Sequence, residues 1–284
     1  MFATSSSCKQ HNNRVVNLEF FVGTSGWYYS WNEERNFDWY VANSGLNAVE
    51  LNASFYRFPF PNMVKSWAKK GKGLRWSIKV NRLITHTFKF NNRAFQLWKK
   101  FHDLFIPLEP NIDFYLFQLP PSMTPKSSSL IENFVKKTEL KERFALEVRN
   151  TQWFDEGWID WASDLGISWV SVDSPDFPLD VFNTSDLAYE RMHGRIEWYA
   201  HLYSDEELEE VINKILKAKP KKAYVFFNNN HAMLVNSRRM LSMFKELNQM
   251  PTIQNQHINR LCFSEKIKSG NGISDRMPHN LRQV

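Results

Sequence analysis

The chain has 284 residues, 43% of them hydrophobic and 23% charged, with a formal net charge of +6 and 2 cysteines. This is enough apolar content for one large core, and no internal run rich in Pro, Gly or Ser divides it, so a single domain is expected. No stretch reaches the ~18 consecutive apolar residues of a membrane span. Residues 1–17 lack the apolar centre of a signal peptide, and Cys8 with Cys262 make no disulfide framework, which points to a reducing, cytoplasmic compartment.

Along the chain, short apolar runs bounded by turn residues alternate with longer amphipathic stretches. After a polar extension over 1–17, a strand is expected at 19–26, a helix at 38–43, a strand at 48–55 and a helix at 61–70. Pro61 suits the first turn of that helix and Gly71 suits its end. Next come a strand at 75–83, a helix at 91–105, a strand at 114–120 stopped by Pro120-Pro121, and a helix at 128–137. A strand at 143–150, a helix at 157–164 and a strand at 167–173 follow, and then an irregular connection over 174–185. The last elements are a strand at 186–194, a helix at 204–217 opened by the capping-box spacing Ser204…Glu207, a strand at 222–230 and a helix from about 234 to 247. The tail, 250–284, is polar and basic, with Arg260, Lys266, Lys268, Arg276 and Arg282 against Glu265 and Asp275, so half of the positive excess lies in this tail. Lysine pairs such as Lys69-Lys70 and Lys136-Lys137 read most simply as solvated helix faces, although a phosphate-tracking groove stays open.

Eight βα units in about 230 residues fit a single (β/α)8 TIM barrel, an α/β fold, with polar N- and C-terminal extensions. The rival is a doubly wound open sheet. Gly23-Thr24-Ser25-Gly26 after the first strand has the wrong spacing for a dinucleotide-binding fingerprint, which favours the barrel. Polar residues recur at the C-terminal ends of the strands: Ser25, Glu50 with Asn52, Lys79, Gln118, Glu147 with Arg149, Asp173, Arg191 with His193, and Asn228 with Asn229. Burying such groups is costly unless they are paired or used, and a barrel builds its site at that end. Residues two apart share a face, so Glu147 goes inward with Ala145 and Arg149, Glu50 with Asn52, and Arg191 with His193. Glu190 then faces the helices and needs a partner there.

The ordered runs Val22-Gly23-Thr24-Ser25-Gly26-Trp27, Ala48-Val49-Glu50-Leu51-Asn52 through Tyr56, Lys79 through Ile84-Thr85-His86, Phe117-Gln118-Leu119-Pro120-Pro121, Glu147-Val148-Arg149 with Trp153, Arg191-Met192-His193-Gly194 and Phe227-Asn228-Asn229 resemble the YecE-like family, the domain of unknown function numbered 72. The resemblance covers roughly 20–244. It implies a TIM barrel and an enzyme whose reaction is not established. Two departures from the family pattern stand out: a shortened loop after Asn228-Asn229, and Glu190 before the Arg-x-His-Gly motif, where relatives carry a small or apolar residue.

Lys79, Arg149 and Arg191 converge on one mouth and suit a phosphate or carboxylate, which Arg binds bidentately. Glu147, Glu50 and His193 are the candidates for proton transfer, with Asp173 to orient His193, and Glu147 is expected to matter most for activity. A structural alternative is a neutralising lattice in which Glu147 pairs with an Arg and Asp173 with Lys79 or Arg191. Substrate contacts are expected from Ser25, Trp27, Asn52, Tyr56, Lys79, His86, Gln118, Arg149, Trp153, Arg191, Tyr199, Asn228 and Asn229. The aromatics Trp27, Tyr28, Tyr29, Trp31, Tyr56, Trp153, Trp198 and Tyr199 form either a packed collar or a stacking platform for a sugar or base. Glu50, His86, Glu147, Asp173 and His193 include ligands for a divalent metal, but the set has no His-x-x-x-His or Cys-x-x-Cys spacing and sits among cations; no metal ligand is assigned and the cofactor stays open. Two function classes follow. One is a hydrolase or lyase acting on an anionic, phosphate-containing or glycosidic substrate, nucleic acid included; the other is a barrel that binds an anionic or nucleic-acid ligand without turnover.

Overall fold

The computed structural model describes residues 18–249, and the expected extensions 1–17 and 250–284, with Cys8 and Cys262, lie outside them. Residues 18–244 lie in one compact unit. Eight parallel strands are present: β1 (Glu19–Thr24), β2 (Ala48–Leu51), β3 (Arg75–Lys79), β4 (Ile112–Gln118), β5 (Phe144–Glu147), β6 (Ser168–Asp173), β7 (Leu187–Met192) and β8 (Lys222–Phe227). Between and after them run α1 (Phe37–Asn43), α2 (Pro61–Lys70), α3 (Asn92–Phe105), α4 (Ser128–Thr138), α5 (Glu156–Asp164), α6 (Asp205–Ala218) and α7 (Met233–Gln249). As expected, no helix joins β6 to β7. No helix among the described residues is long and apolar enough to cross a membrane.

The helices begin where side chains satisfy the first free N–H groups. Asn36, Asn91 and Asp155 cap α1, α3 and α5, and Ser204 with Glu207 forms the expected capping box of α6. Gly71 does close α2, but at a negative φ; space is the reason for the glycine, because a β-carbon there would sit 2.8 Å from the Phe37 ring and 3.0 Å from the Trp76 ring.

Alternation along the strands sets the interior. Ala48, Phe114, Leu116, Ala145, Val170, Val172, Tyr189, Tyr224 and Phe226 pack as one buried cluster inside the barrel. Those apolar layers form a floor, and the inward residues nearer the C-terminal ends are polar.

The barrel closes by an unusual seam. Hydrogen-bonded ladders run continuously from β2 through β8 to β1, whereas β1 meets β2 through the single bridge Ser25–Glu50. Side chains replace the missing ladder: Asn47 donates from Nδ2 to the Phe20 carbonyl at 2.7 Å and accepts from the Val22 N–H at 2.8 Å, while the Tyr40 hydroxyl donates to the Ala48 carbonyl at 2.8 Å. Gly23 lets the two backbones approach, since a β-carbon there would lie 2.3 Å from the Ala48 carbonyl oxygen. Gly23→Ala must part β1 from β2 and strain the Asn47 bridge. A loss of about 3 kcal/mol or more is expected in denaturant unfolding; a loss below about 1 kcal/mol would show that the seam does not hold the barrel shut.

Candidate active site at the barrel mouth

The polar layer above the floor is built on one residue. Arg191, fully buried near the end of β7, reaches across the barrel and donates from Nε and Nη2 to the two Glu50 oxygens at 2.9 and 2.6 Å, and from Nη1 to Glu147 at 2.7 Å. Glu50 also accepts from the Ser25 hydroxyl at 2.6 Å and from the Tyr189 hydroxyl at 2.6 Å, with Ser77 2.6 Å from Tyr189 on the other side. Glu147 further pairs with Arg149 and accepts from Gln118 at 3.0 Å. Burial alone would raise the Glu147 pKa, but Arg149, Arg191 and Lys79 outweigh it and hold the carboxylate at about 2. Glu147 therefore carries no proton to donate at neutral pH and is a weak base. Its carboxylate pairs with two guanidiniums, as in the neutralising lattice weighed above.

His193, two residues after Arg191 and likewise fully buried, lies with Nε2 3.2 Å from Arg191 and 3.3 Å from Arg149. Guanidiniums only donate, so Nε2 accepts from them, while Nδ1 lies 3.2 Å from the Asn228 side-chain nitrogen, where the tautomer decides which atom donates. Burial first, and then Arg191, Arg149 and Lys79, push its pKa well below the ordinary value, so the imidazole is neutral.

Lys79 is the exception in this paired set. Its residue is 6% exposed, it shares the inner face of β3 with Ser77, and among the described residues no carboxylate forms an ion pair with it. Its Nζ instead lies 4.4 Å from the centroid of the Phe55 ring. Burial and then the neighbouring Arg191 pull its pKa down to about 7, against weaker opposition from Glu147 and Glu50. Arg149 is the second cation with capacity to spare: its guanidinium stacks 4.8 Å from the Trp198 ring, and its Nε has no partner.

Above these groups stands a rim. His86, on a single π-helical turn over Leu83–Thr87, packs edge-on against Phe55, bonds Thr85 through Nδ1 at 2.8 Å, and is kept neutral by burial and Lys79, which bring its pKa to about 4. Tyr199 sets its edge against His193, and Tyr29 donates to the Ser25 carbonyl at 3.3 Å within the field of Glu50, Tyr56 and Tyr199. Tyr56 is largely exposed. Asn52 follows β2 with a buried side-chain oxygen that finds no partner. A cleft of about 420 Å³ lined by Tyr28, Tyr29, Ser30, Arg35, Asn230 and His231 adjoins the mouth between the loops after β1 and β8, where His231 bonds Ser30 at 3.0 Å. Another, of about 390 Å³, lies away on α3 and carries no part of this chemistry.

Several expected site residues point elsewhere. Asp173 does not orient His193 or pair with Lys79 or Arg191; it faces the helix layer, accepting from Tyr203 at 2.8 Å and from Arg195 at 3.0 Å. Val170 and Val172 occupy the interior, so alternation puts Ser174, with a buried unpartnered hydroxyl, on the inner face instead. Trp153 is buried among Trp158, Trp161 and Trp169 and donates to the Met123 carbonyl at 2.8 Å, while Trp27 packs on Phe37, Trp67 and Trp76. Both are helix-layer packing, because loop aromatics at those points fold back over the barrel wall. Asn229 turns away to the His201 carbonyl and Asn236. Glu190 faces the helices as expected; burial and the adjacent Asp173 raise its pKa well above the usual range, partly offset by Lys214 and Arg195. Tyr189, Ser77 and Phe55 belong to the site and were not singled out; for Tyr189 the same two-residue alternation from Arg191 was the available signal.

The candidate metal ligands are dispersed in the same way. Among the described residues no group of three or more His, Cys, Asp and Glu side chains is arranged to hold a metal ion, and Arg191 and Arg149 occupy the space between the carboxylates and His193. These residues do not fit a divalent cation.

An eight-stranded parallel barrel with a buried Glu–Arg–Glu set and a rim of titratable groups at one end defines a TIM-barrel protein with a built site. The chain matches the family described as "Protein of unknown function DUF72" over residues 21–258 and belongs to that family. It is 28% identical over 113 residues to the UPF0759 protein YecE of Escherichia coli strain K12; the match spans 39% of this chain and 41% of that protein, less than half of the curated relative. Among solved structures, a DUF72 family protein from Thermotoga maritima MSB8 superposes with a TM-score of 0.67 at 25% identity, covering 80% of this chain and 99% of that one. One from Enterococcus faecalis V583 has the same TM-score at 19% identity, covering 80% and 98%. A D-psicose 3-epimerase from Clostridium cellulolyticum H10 has a TM-score of 0.54 at 10% identity, covering 82% and 100%, which speaks to the barrel fold alone.

Proposed function

We propose that this barrel is an enzyme of the hydrolase or lyase type whose substrate presents an anionic group, phosphate or carboxylate, to Lys79 and Arg149. The observation that carries this reading is Lys79, a buried ammonium with no carboxylate partner in a site where Arg191 is saturated by Glu50 and Glu147. A cation in that position is costly until an anion arrives. Roles then divide by protonation state. Arg191, Glu50 and Glu147 are the fixed frame, and Arg149 holds the anion with its remaining donor capacity. Lys79 and His86 are the bases available near neutral pH. The rim tyrosines Tyr29, Tyr56 and Tyr199 suit a sugar or base attached to that anion.

Phosphate or sulfate at tens of millimolar, against chloride at equal ionic strength, is expected to raise the thermal midpoint. At about 30 times Kd the gain is roughly 2 kcal/mol, and Lys79→Met removes most of it. No anion-specific shift in the wild type would overturn the reading. Binding without turnover is favoured by one observation: both ring carboxylates are already engaged by guanidiniums. Hydrolysis or cleavage of any phosphate ester or glycoside, lost in Lys79→Met, decides for the enzyme.

A further inference from the structure

We propose that Lys79 is an amine nucleophile that forms an imine with the carbonyl carbon of an anionic aldehyde, keto acid or keto sugar, which narrows the reaction to the lyase type. This rests on the anion-binding reading above and names the substrate class for the same site. The geometry is that of a built nucleophile. Lys79 is rooted on β3, a rigid element, and its stem and ammonium pack on Phe55 in a pocket that is 6% exposed at this residue. No hydrogen bond or ion pair among the described residues ties up its Nζ, whereas the neighbouring cations Arg191 and Arg149 are both committed to carboxylates. Two cations beside an apolar wall disfavour a third charge, the arrangement that leaves a lysine with its lone pair available. With a pKa brought to about 7, about half of Lys79 is free amine at neutral pH, on the order of a thousand times the fraction for an ordinary lysine.

The step balances without an oxidant or reductant. The Nζ lone pair attacks the carbonyl carbon, and the nitrogen proton passes to the oxygen to give a carbinolamine. The C–O bond then breaks as water leaves and the C=N bond forms, so one water is released for each imine. Arg149, with its unpartnered Nε, is placed to hold the substrate's anionic group, and the unpartnered oxygens of Asn52 and Ser174 suit substrate hydroxyls.

The test is reductive trapping on the full chain at pH 7. Pyruvate, acetaldehyde and lactate are each incubated with sodium cyanoborohydride, and the adducts are mapped by peptide mass spectrometry. Pyruvate is expected to modify Lys79 at least about tenfold faster than any other lysine, acetaldehyde to modify it more slowly, and lactate, which has no carbonyl, not at all. Lys79→Arg, which keeps the charge and is checked for folding by circular dichroism, is expected to lose the preferential adduct. A second measurement guards against a folding failure in that variant: excess inorganic phosphate on the wild type should slow pyruvate trapping at Lys79 and leave surface lysines unchanged. Adducts spread over exposed lysines with none favoured at Lys79 would overturn the proposal. If phosphate nevertheless stabilises the protein, the anion-binding reading survives alone. Trapping at Lys79 that is equally fast for acetaldehyde and pyruvate, with no stabilisation by phosphate, would keep the nucleophile and overturn the anion partner.

Discussion

Replacing Arg191 with leucine is expected to cost about 3–5 kcal/mol of folding stability at pH 7, the largest loss of any single polar substitution in the mouth. The substitution removes five donor contacts at once: Nε and Nη2 to Glu50, Nη1 to Glu147, Nη1 to His193, and Nη2 to the Ser25 hydroxyl. It leaves two carboxylates in a site where both are fully buried, with one ion pair, to Arg149, and the nearby Lys79 charge to answer them. The pH dependence tells this effect from lost packing. In the wild type, cations hold Glu147 at about 2, below its ordinary 4.5, so its contribution is complete above the unfolded value and is lost as pH falls from about 4.5 towards 2. In Arg191→Leu the folded-state value of Glu147 rises, and the variant takes up protons on folding instead. Its deficit relative to the wild type should therefore narrow as pH falls from 7 to about 5. Adding Glu50→Gln should recover part of the loss at pH 7. A deficit under about 1 kcal/mol in denaturant unfolding, or one that does not change between pH 5 and 8, would contradict the frame role of Arg191.

Lys79→Met is expected to act in the opposite direction and stabilise the protein. Methionine keeps the length and the contact with Phe55 but removes the unpaired charge. The sign follows from linkage. Lys79 has a folded pKa of about 7 against an ordinary 10.5, so between those values the unfolded chain binds the extra proton and stability rises with pH. At pH 7 the gap corresponds to a penalty of about 4 kcal/mol in the wild type. A gain of about 2 kcal/mol or more in Lys79→Met is expected at pH 7, shrinking towards zero by pH 10.5. The same variant should lose the phosphate response. Greater stability with lost binding is the pattern of a group retained for function at a cost to the fold.

The strands were legible because each is a short apolar run with turn residues on either side, and all eight expected runs overlap an observed strand, β4 beginning two residues earlier than expected. The expected ends run three or four residues too far in β2, β3, β5 and β8, where the inward polar pattern of Asn52, Arg149 and Asn228 continues into loops without ladder bonds. Alternation placed Glu50, Glu147, Arg191 and His193 correctly. Asp173 was misplaced because it ends its run, although counting from Val170 and Val172 leads to Ser174. What the pattern does not carry is pairing. Nothing in the one-dimensional order shows that Arg191 absorbs both Glu50 and Glu147 and so leaves Lys79 without a partner, since those contacts span up to 141 residues. The seam between β1 and β2 was illegible for the same reason: Asn47 and Tyr40 look like ordinary loop and helix residues until they meet backbone groups across the gap.

The most direct test of a mouth built to receive an anion at Lys79 is the titration of that one side chain, followed by NMR on lysine-labelled protein and assigned by comparison with Lys79→Arg. Without added anion, Lys79 should titrate near 7, far below the ordinary 10.5. With saturating phosphate the value should move upward, because an anion that prefers the ammonium form must raise its pKa by linkage. A Lys79 that titrates near 10.5 and does not respond to phosphate would contradict the account.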